Sequence, residues 1–123
     1  MKTINLIVVR HGKTYFNRYN KLQGWGNSPL TEAGIADAQR VGDALADVSF
    51  KAAYSSDTTR AMDTAKYILA ANKVSGNVTL TTSWHFREEF YGSFEDSNMD
   101  VAWTAAGASV GLTTACKMVI QYC

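Results

Sequence analysis

The chain is sparing in residues that often decide a reading: one proline, two cysteines and two histidines in 123 residues. The thiols, Cys116 and Cys123, sit together near the C-terminus without a CxxC pair, and His11 and His85 lie far apart. That spacing does not suit a structural zinc site, so no metal is expected, and the thiols are compatible with a reducing cytoplasm. Long apolar runs are also missing. "MKTINLIVVR" reaches an arginine after too few apolar residues for a signal-peptide core. The uncharged segment 101–116 is rich in Gly, Ala, Ser and Thr, and falls short of the roughly 20 strongly apolar residues of a membrane span. The expected location is cytoplasmic, with no membrane partner. Acid is absent from the whole N-terminal sector: Lys2, Arg10, Lys13, Arg18 and Lys21 all precede the first carboxylate, Glu32. Such a sector concentrates small anions, whereas a net charge of +1 gives no reason to expect nucleic acid.

What is present describes one modest globular domain. Apolar residues make up 46% and charged residues 19%, and the length is too short for two independent cores. Ile4 to Val9 is a near-continuous branched run, which predicts a strand buried on both faces. A long loop follows from Gly12 to Leu30, with turn chemistry at "GWGNSP". Thr31 is a candidate N-cap with Glu32 in the first turn. Ile35, Ala38, Val41, Leu45 and Val48 recur at helical spacing, so a helix is predicted to about Asp47. Ala52 to Ser56 reads as a short buried strand. Asp57 is the expected cap of a second helix that buries Ala61, Ala65, Ile68 and Leu69 and ends near Asn72. Val78 to Ser83 alternates and is β-branched, a third strand. "NMDVAWTAA" is a further helix candidate, and "KMVIQYC" has no assignment.

Strand, helix, strand, helix, strand is the pattern of an α/β fold with a mostly parallel sheet flanked by helices. Ligands in such sheets bind beyond the carboxyl ends of the strands. Arg10-His11-Gly12 follows the first strand, Ser55 through Arg60 the second, and Phe86-Arg87-Glu88 the third, so all three polar clusters fall on one sheet edge. Their chemistry is coherent. A neutral imidazole is a nucleophile, and Gly12 permits close backbone approach to a ligand. Arg10, Arg60 and Arg87 are planar donors for phosphoryl oxygens. Thr14 and Asn17 add neutral donors, and Glu88 can move a proton. Glu88 and Glu89 are not separable by spacing. Trp25 and Trp84 read as core or pocket wall, and Tyr15 and Phe16 as pocket mouth or packing.

The blocks "RHGKTYFN", "LQGWGNSPLTEAG", "YSSDTTRAMDTA" and "FREEFYGSFE", in this order, closely resemble the histidine phosphatase superfamily, that of the cofactor-dependent phosphoglycerate mutases. The likeness covers residues 3 to about 96. It implies that His11 becomes phosphorylated, that Arg10 and Arg60 bind the phosphoryl group, and that Asn17 with Gln23 and Gly24 lines the phosphate side. It favours Glu88 as proton donor, with Gly92 and Glu95 continuing a G-x-x-E pattern. It also implies a phosphatase acting on small phosphate monoesters. The alternatives are a mutase proper, which alone would need a 2,3-bisphosphoglycerate primer, and an impaired phosphate-binding form. The expected partner is a small phosphorylated substrate or inorganic phosphate, with a homodimer as the one assembly considered.

One departure is large. The family's second catalytic histidine, in a V-x-H-G context on a strand C-terminal to the Glu block, has no counterpart, and His85 is read as a surface or packing residue. The domain, a single one over residues 1–123, is therefore expected to be truncated or divergent after about residue 96. The first strand is expected to show an unpaired apolar edge.

Overall fold

The computed structural model describes residues 2–100 and 117–122. Among these residues four strands form one sheet: β1 (Asn5–Arg10), β2 (Phe50–Ser56), β3 (Leu80–Ser83) and β4 (Lys117–Tyr122), in the order β1-β4-β2-β3. Three α-helices among the described residues accompany them, a single turn α1 (Tyr15–Arg18) and the longer α2 (Glu32–Ala44) and α3 (Thr59–Ala71). The fold is α/β. β2 and β3 pair in parallel, and β4 is antiparallel to both β1 and β2. It follows that β1, β2 and β3 all point one way, and that their carboxyl ends share one sheet edge.

Both long helices pack on the same side of the sheet. Val41 of α2, Leu45 at its C-cap and Leu69 of α3 join Phe50, Ala65 and Ile68 in one core, and Ile7 and Val9 of β1 reach it from the sheet. The small residues Ala38 and Gly42 on α2 and Ala61 and Ala65 on α3 are buried, which lets the two helices approach closely. The other side of β1 is different. Ile4, Leu6 and Val8 are 66%, 56% and 54% exposed. Burial on both faces, expected from the branched run, is not found among the described residues. Period-two alternation placed one apolar set on the core and left an equally apolar set facing out.

The local signals at the helix ends mostly hold. Thr31 caps α2, its Oγ1 accepting from the Gly34 N–H at 3.2 Å, and Asn72 closes α3. Asp57 does not cap α3: the N-cap position falls to Thr58, and the Asp57 carboxylate is taken by Arg87. The third strand starts at Leu80 rather than Val78.

β4, built from the segment that carried no assignment, pairs the edge of β1 that was expected to be unpaired, while β1 still stands at the end of the sheet among the described residues. β4 fills the place between β1 and β2, with Arg10 opposite Lys117 and Asn5 opposite Tyr122. Its direction matters more than its presence. A strand running with β1 would bring its last residues to the edge where Arg10 ends; β4 brings its first. Residues 96–99 are still tied to the loop, since Leu22 N–H donates to Ser97 O at 2.8 Å and Met99 N–H to Asn20 O at 2.8 Å. Most of the candidate helix beyond Asp100, and both cysteines, lie outside the described residues. No helix among the described residues is long and apolar enough to cross a membrane.

Candidate active site

The carboxyl edge gathers Arg10 and His11 from the end of β1, Arg60 from the first turn of α3, and Glu88 from the loop after β3. The turn from β1 is held in place by α2. Lys13 O accepts from the Thr31 N–H at 2.9 Å and from Thr31 Oγ1 at 3.1 Å. Gly12 is needed for this contact. A Cβ there would sit 2.7 Å from Gly34 Cα and 2.8 Å from Gly34 O. The close approach that Gly12 allows includes the α2 backbone, and Gly12 also lines the cavity beside His11.

His11 is part-buried, and its Nδ1 lies 2.7 Å from Gly12 O. A carbonyl only accepts, so Nδ1 carries the proton and Nε2 keeps its lone pair. Burial, foremost, with the charges of Arg60 and Arg10, pushes the imidazole down to about 4; the Gly12 carbonyl and the Glu88 carboxylate pull the other way. At neutral pH the ring is an uncharged base between two cations, within electrostatic reach of Glu88. A cavity of about 270 Å³ opens beside it, lined by Arg10, His11, Gly12, Lys13 and Asn17. A larger hollow of about 620 Å³ shares Lys13 and Asn17 but not His11.

The neutral donors are arranged less directly. Thr14 is fully buried as the N-cap of α1. Its Oγ1 donates to Asn17 Oδ1 at 2.9 Å, and the Asn17 N–H returns a bond at 3.2 Å. Gln23 donates its amide nitrogen to Thr14 Oγ1 at 2.8 Å, while its oxygen accepts from Arg60 Nη1 and the Ser28 N–H at 3.2 Å each. The Thr14 hydroxyl and the Gln23 amide thus brace the turn, and Asn17 alone of these three lines the His11 cavity.

Arg60 is 1% exposed, with Nη2 donating to Gly24 O and Nη1 to Gly26 O, both at 2.8 Å. The sequence placed it as a ligand contact; here its fork also holds the glycine loop. Gly24 is confined by that packing, because a Cβ would overlap the Glu89 carbonyl and meet Glu95 Oε1 at 2.5 Å. Arg87, expected as a third phosphoryl donor, is engaged elsewhere. It grips Asp57 through two bonds of 2.6 and 2.7 Å and lies 4.7 Å over the Trp25 ring. That pair holds the Asp57 carboxyl below its usual range, and it ties the loops after β2 and β3 together. Trp84 is exposed rather than core. His85 is exposed, bonded to Ser83 Oγ at 2.9 Å and stacked on Trp84. Among the described residues no group of three or more His, Cys, Asp or Glu could hold a metal ion. The residue that sequence reasoning underrated is Glu95. Its spacing was visible in the G-x-x-E pattern, but nothing local says what a carboxylate will hold.

Comparison with known proteins gives a consistent answer. Residues 6–109 match the family model of the histidine phosphatase superfamily (branch 1). The fructose-2,6-bisphosphatase TIGAR of Xenopus tropicalis is 40% identical over 77% of this chain and 35% of its own length. The 2,3-bisphosphoglycerate-dependent phosphoglycerate mutase of Staphylococcus aureus is 35% identical over 79% of this chain and 43% of its own. A phosphoglycerate mutase structure from Bacillus anthracis superposes with a TM-score of 0.75 at 36% identity, covering 90% of this chain and 50% of the other. The chain spans half or less of the length of these relatives.

Proposed function

The chain belongs to the histidine phosphatase superfamily, and from that premise we propose that its site cleaves small phosphate monoesters through a phosphohistidine at His11. The observation that carries the reading is the state of that imidazole, uncharged with Nδ1 bonded to Gly12 O and Nε2 available. In the first step Nε2 attacks phosphorus, the P–O bond to the leaving group breaks, and protonated Glu88 gives its proton to the departing oxygen. Arg10, on the cavity wall, stabilises the charge spread over the equatorial oxygens, and the buried Arg60 adds its positive charge from behind the glycine loop it holds. In the second step Glu88, now a carboxylate, takes a proton from water as the water oxygen attacks phosphorus. The P–N bond breaks, phosphate leaves, and His11 and protonated Glu88 are regenerated. Asn17 orients the phosphoryl group from the cavity wall.

A second reading is favoured by one specific feature. The strand beside β1 is antiparallel to it and brings its first residues, not its last, to the edge where Arg10 ends. A site short of one donor to a transferring phosphoryl group commonly runs about 100- to 1000-fold slower, so a strand of that direction favours, as the alternative, a form that binds phosphate with little turnover. Single-turnover phosphorylation decides between them. Intact mass after incubation with a labile phosphate donor should show one acid-labile phosphoryl group, absent in His11→Ala. A folded protein that never gains that mass refutes the enzyme reading and leaves the binding form.

A further inference from the structure

Glu95 follows the short turn Gly92–Phe94 and holds the site's glycine loop by its amides. Oε1 accepts from the Trp25 N–H at 2.9 Å and the Tyr91 N–H at 3.2 Å. Oε2 accepts from the Gly26 N–H at 3.0 Å and the Gly24 N–H at 3.2 Å. Arg60 meanwhile binds the carbonyls of Gly24 and Gly26. Gly24 and Gly26 are thus gripped on both sides, donors by an anion and acceptors by a cation, and Trp25 between them is held by its N–H. The grip continues outward. Trp25 Nε1 donates to the Glu88 carbonyl at 3.0 Å, and the Trp25 ring packs on Phe90 at 4.9 Å between centroids.

We propose that Glu95 is a positioning residue, whose ionised carboxylate fixes the Gly24–Gly26 loop and, through the Trp25 indole, the main chain that carries Glu88. This rests on Glu88 being the proton donor proposed above. The side chain suits the task on chemical grounds. A carboxylate is acceptor-only, with about four lone-pair sites for four N–H groups. Glutamine would turn an NH₂ toward donors, and aspartate would fall one methylene short. Burial opposes ionisation of Glu95, but the four backbone donors outweigh it and hold the group below its ordinary value.

The role separates from a general structural one by leaving group. His11 phosphorylation is followed by intact mass with two donors: an alkyl phosphate, whose alkoxide needs a proton as it departs, and p-nitrophenyl phosphate, whose phenolate does not. Glu95→Gln is expected to slow the alkyl donor about 100-fold while changing the aryl donor less than about threefold. Trp25→Phe keeps a ring and removes only the indole N–H, and should show the same selectivity even where Glu95→Gln does not fold. In a Glu88→Gln background neither change should add to the alkyl defect. Equal losses with both donors, or no change with either, overturn the positioning role while wild-type phosphorylation leaves the phosphohistidine reading intact. If the wild type is phosphorylated by neither donor, both readings fall together.

Discussion

Acidification is the perturbation that tests the His11 environment most directly. The imidazole is lowered from 6.5 to about 4 by the fold, burial being the largest cause. Between those values the unfolded chain binds a proton that the folded protein refuses. Unfolding therefore takes up a proton in this window, and stability rises with pH across it. Each pH unit between the two values is worth about 1.4 kcal/mol, so His11 contributes about 3 kcal/mol at pH 7 relative to pH 4 and below. Against a domain stability of about 5–15 kcal/mol, that is a large share. The assay is urea unfolding from pH 4 to pH 7.5 for wild type and His11→Gln, which cannot titrate there. The wild-type advantage should be complete above about pH 6.5, shrink as pH falls to 4, and then level off. A difference between the two proteins that stays constant across the window would mean that His11 titrates normally and that its neutral state owes nothing to the fold.

Three other outcomes follow from particular contacts. Arg60→Met leaves the Gly24 and Gly26 carbonyls without their buried cation and should lower stability by about 3 kcal/mol in thermal unfolding. Arg60→Lys should restore little, because a point charge cannot reproduce the fork. Gly12→Ala forces a methyl against the α2 backbone, so it should destabilise the protein and weaken inorganic phosphate binding by titration calorimetry, whereas an exposed Gly76→Ala should leave phosphate binding alone. Leu6→Thr and Val8→Thr change side chains that are 56% and 54% exposed. Each should shift unfolding by less than about 0.5 kcal/mol while reducing light scattering of concentrated protein, and a large loss of stability would show that this face is covered.

Elements that depend on near neighbours were legible in the order of residues alone. Thr31 caps α2 because its hydroxyl reaches an N–H three residues on. The helical spacing of Ala61, Ala65 and Ile68 places them on one buried stripe, and a β-branched run makes β1 a strand. Strand direction then brings Arg10, His11, Arg60 and Glu88 to one edge, which a pattern of alternating elements can foretell. Features that hang on residues distant in the chain emerged only with the fold. The branched run of β1 says nothing about which face a helix covers, so the exposure of Leu6 and Val8 was not legible. Asp57 looked like a cap until Arg87, 30 residues on, proved the stronger partner for its carboxylate. β4 has no distinctive composition, and its antiparallel course follows from pairing with β1 and β2 rather than from its own residues. Glu95 is the sharpest case: its four partners lie as far as 71 residues away. A carboxylate's role is set by which donors converge on it, and convergence is a property of the folded chain.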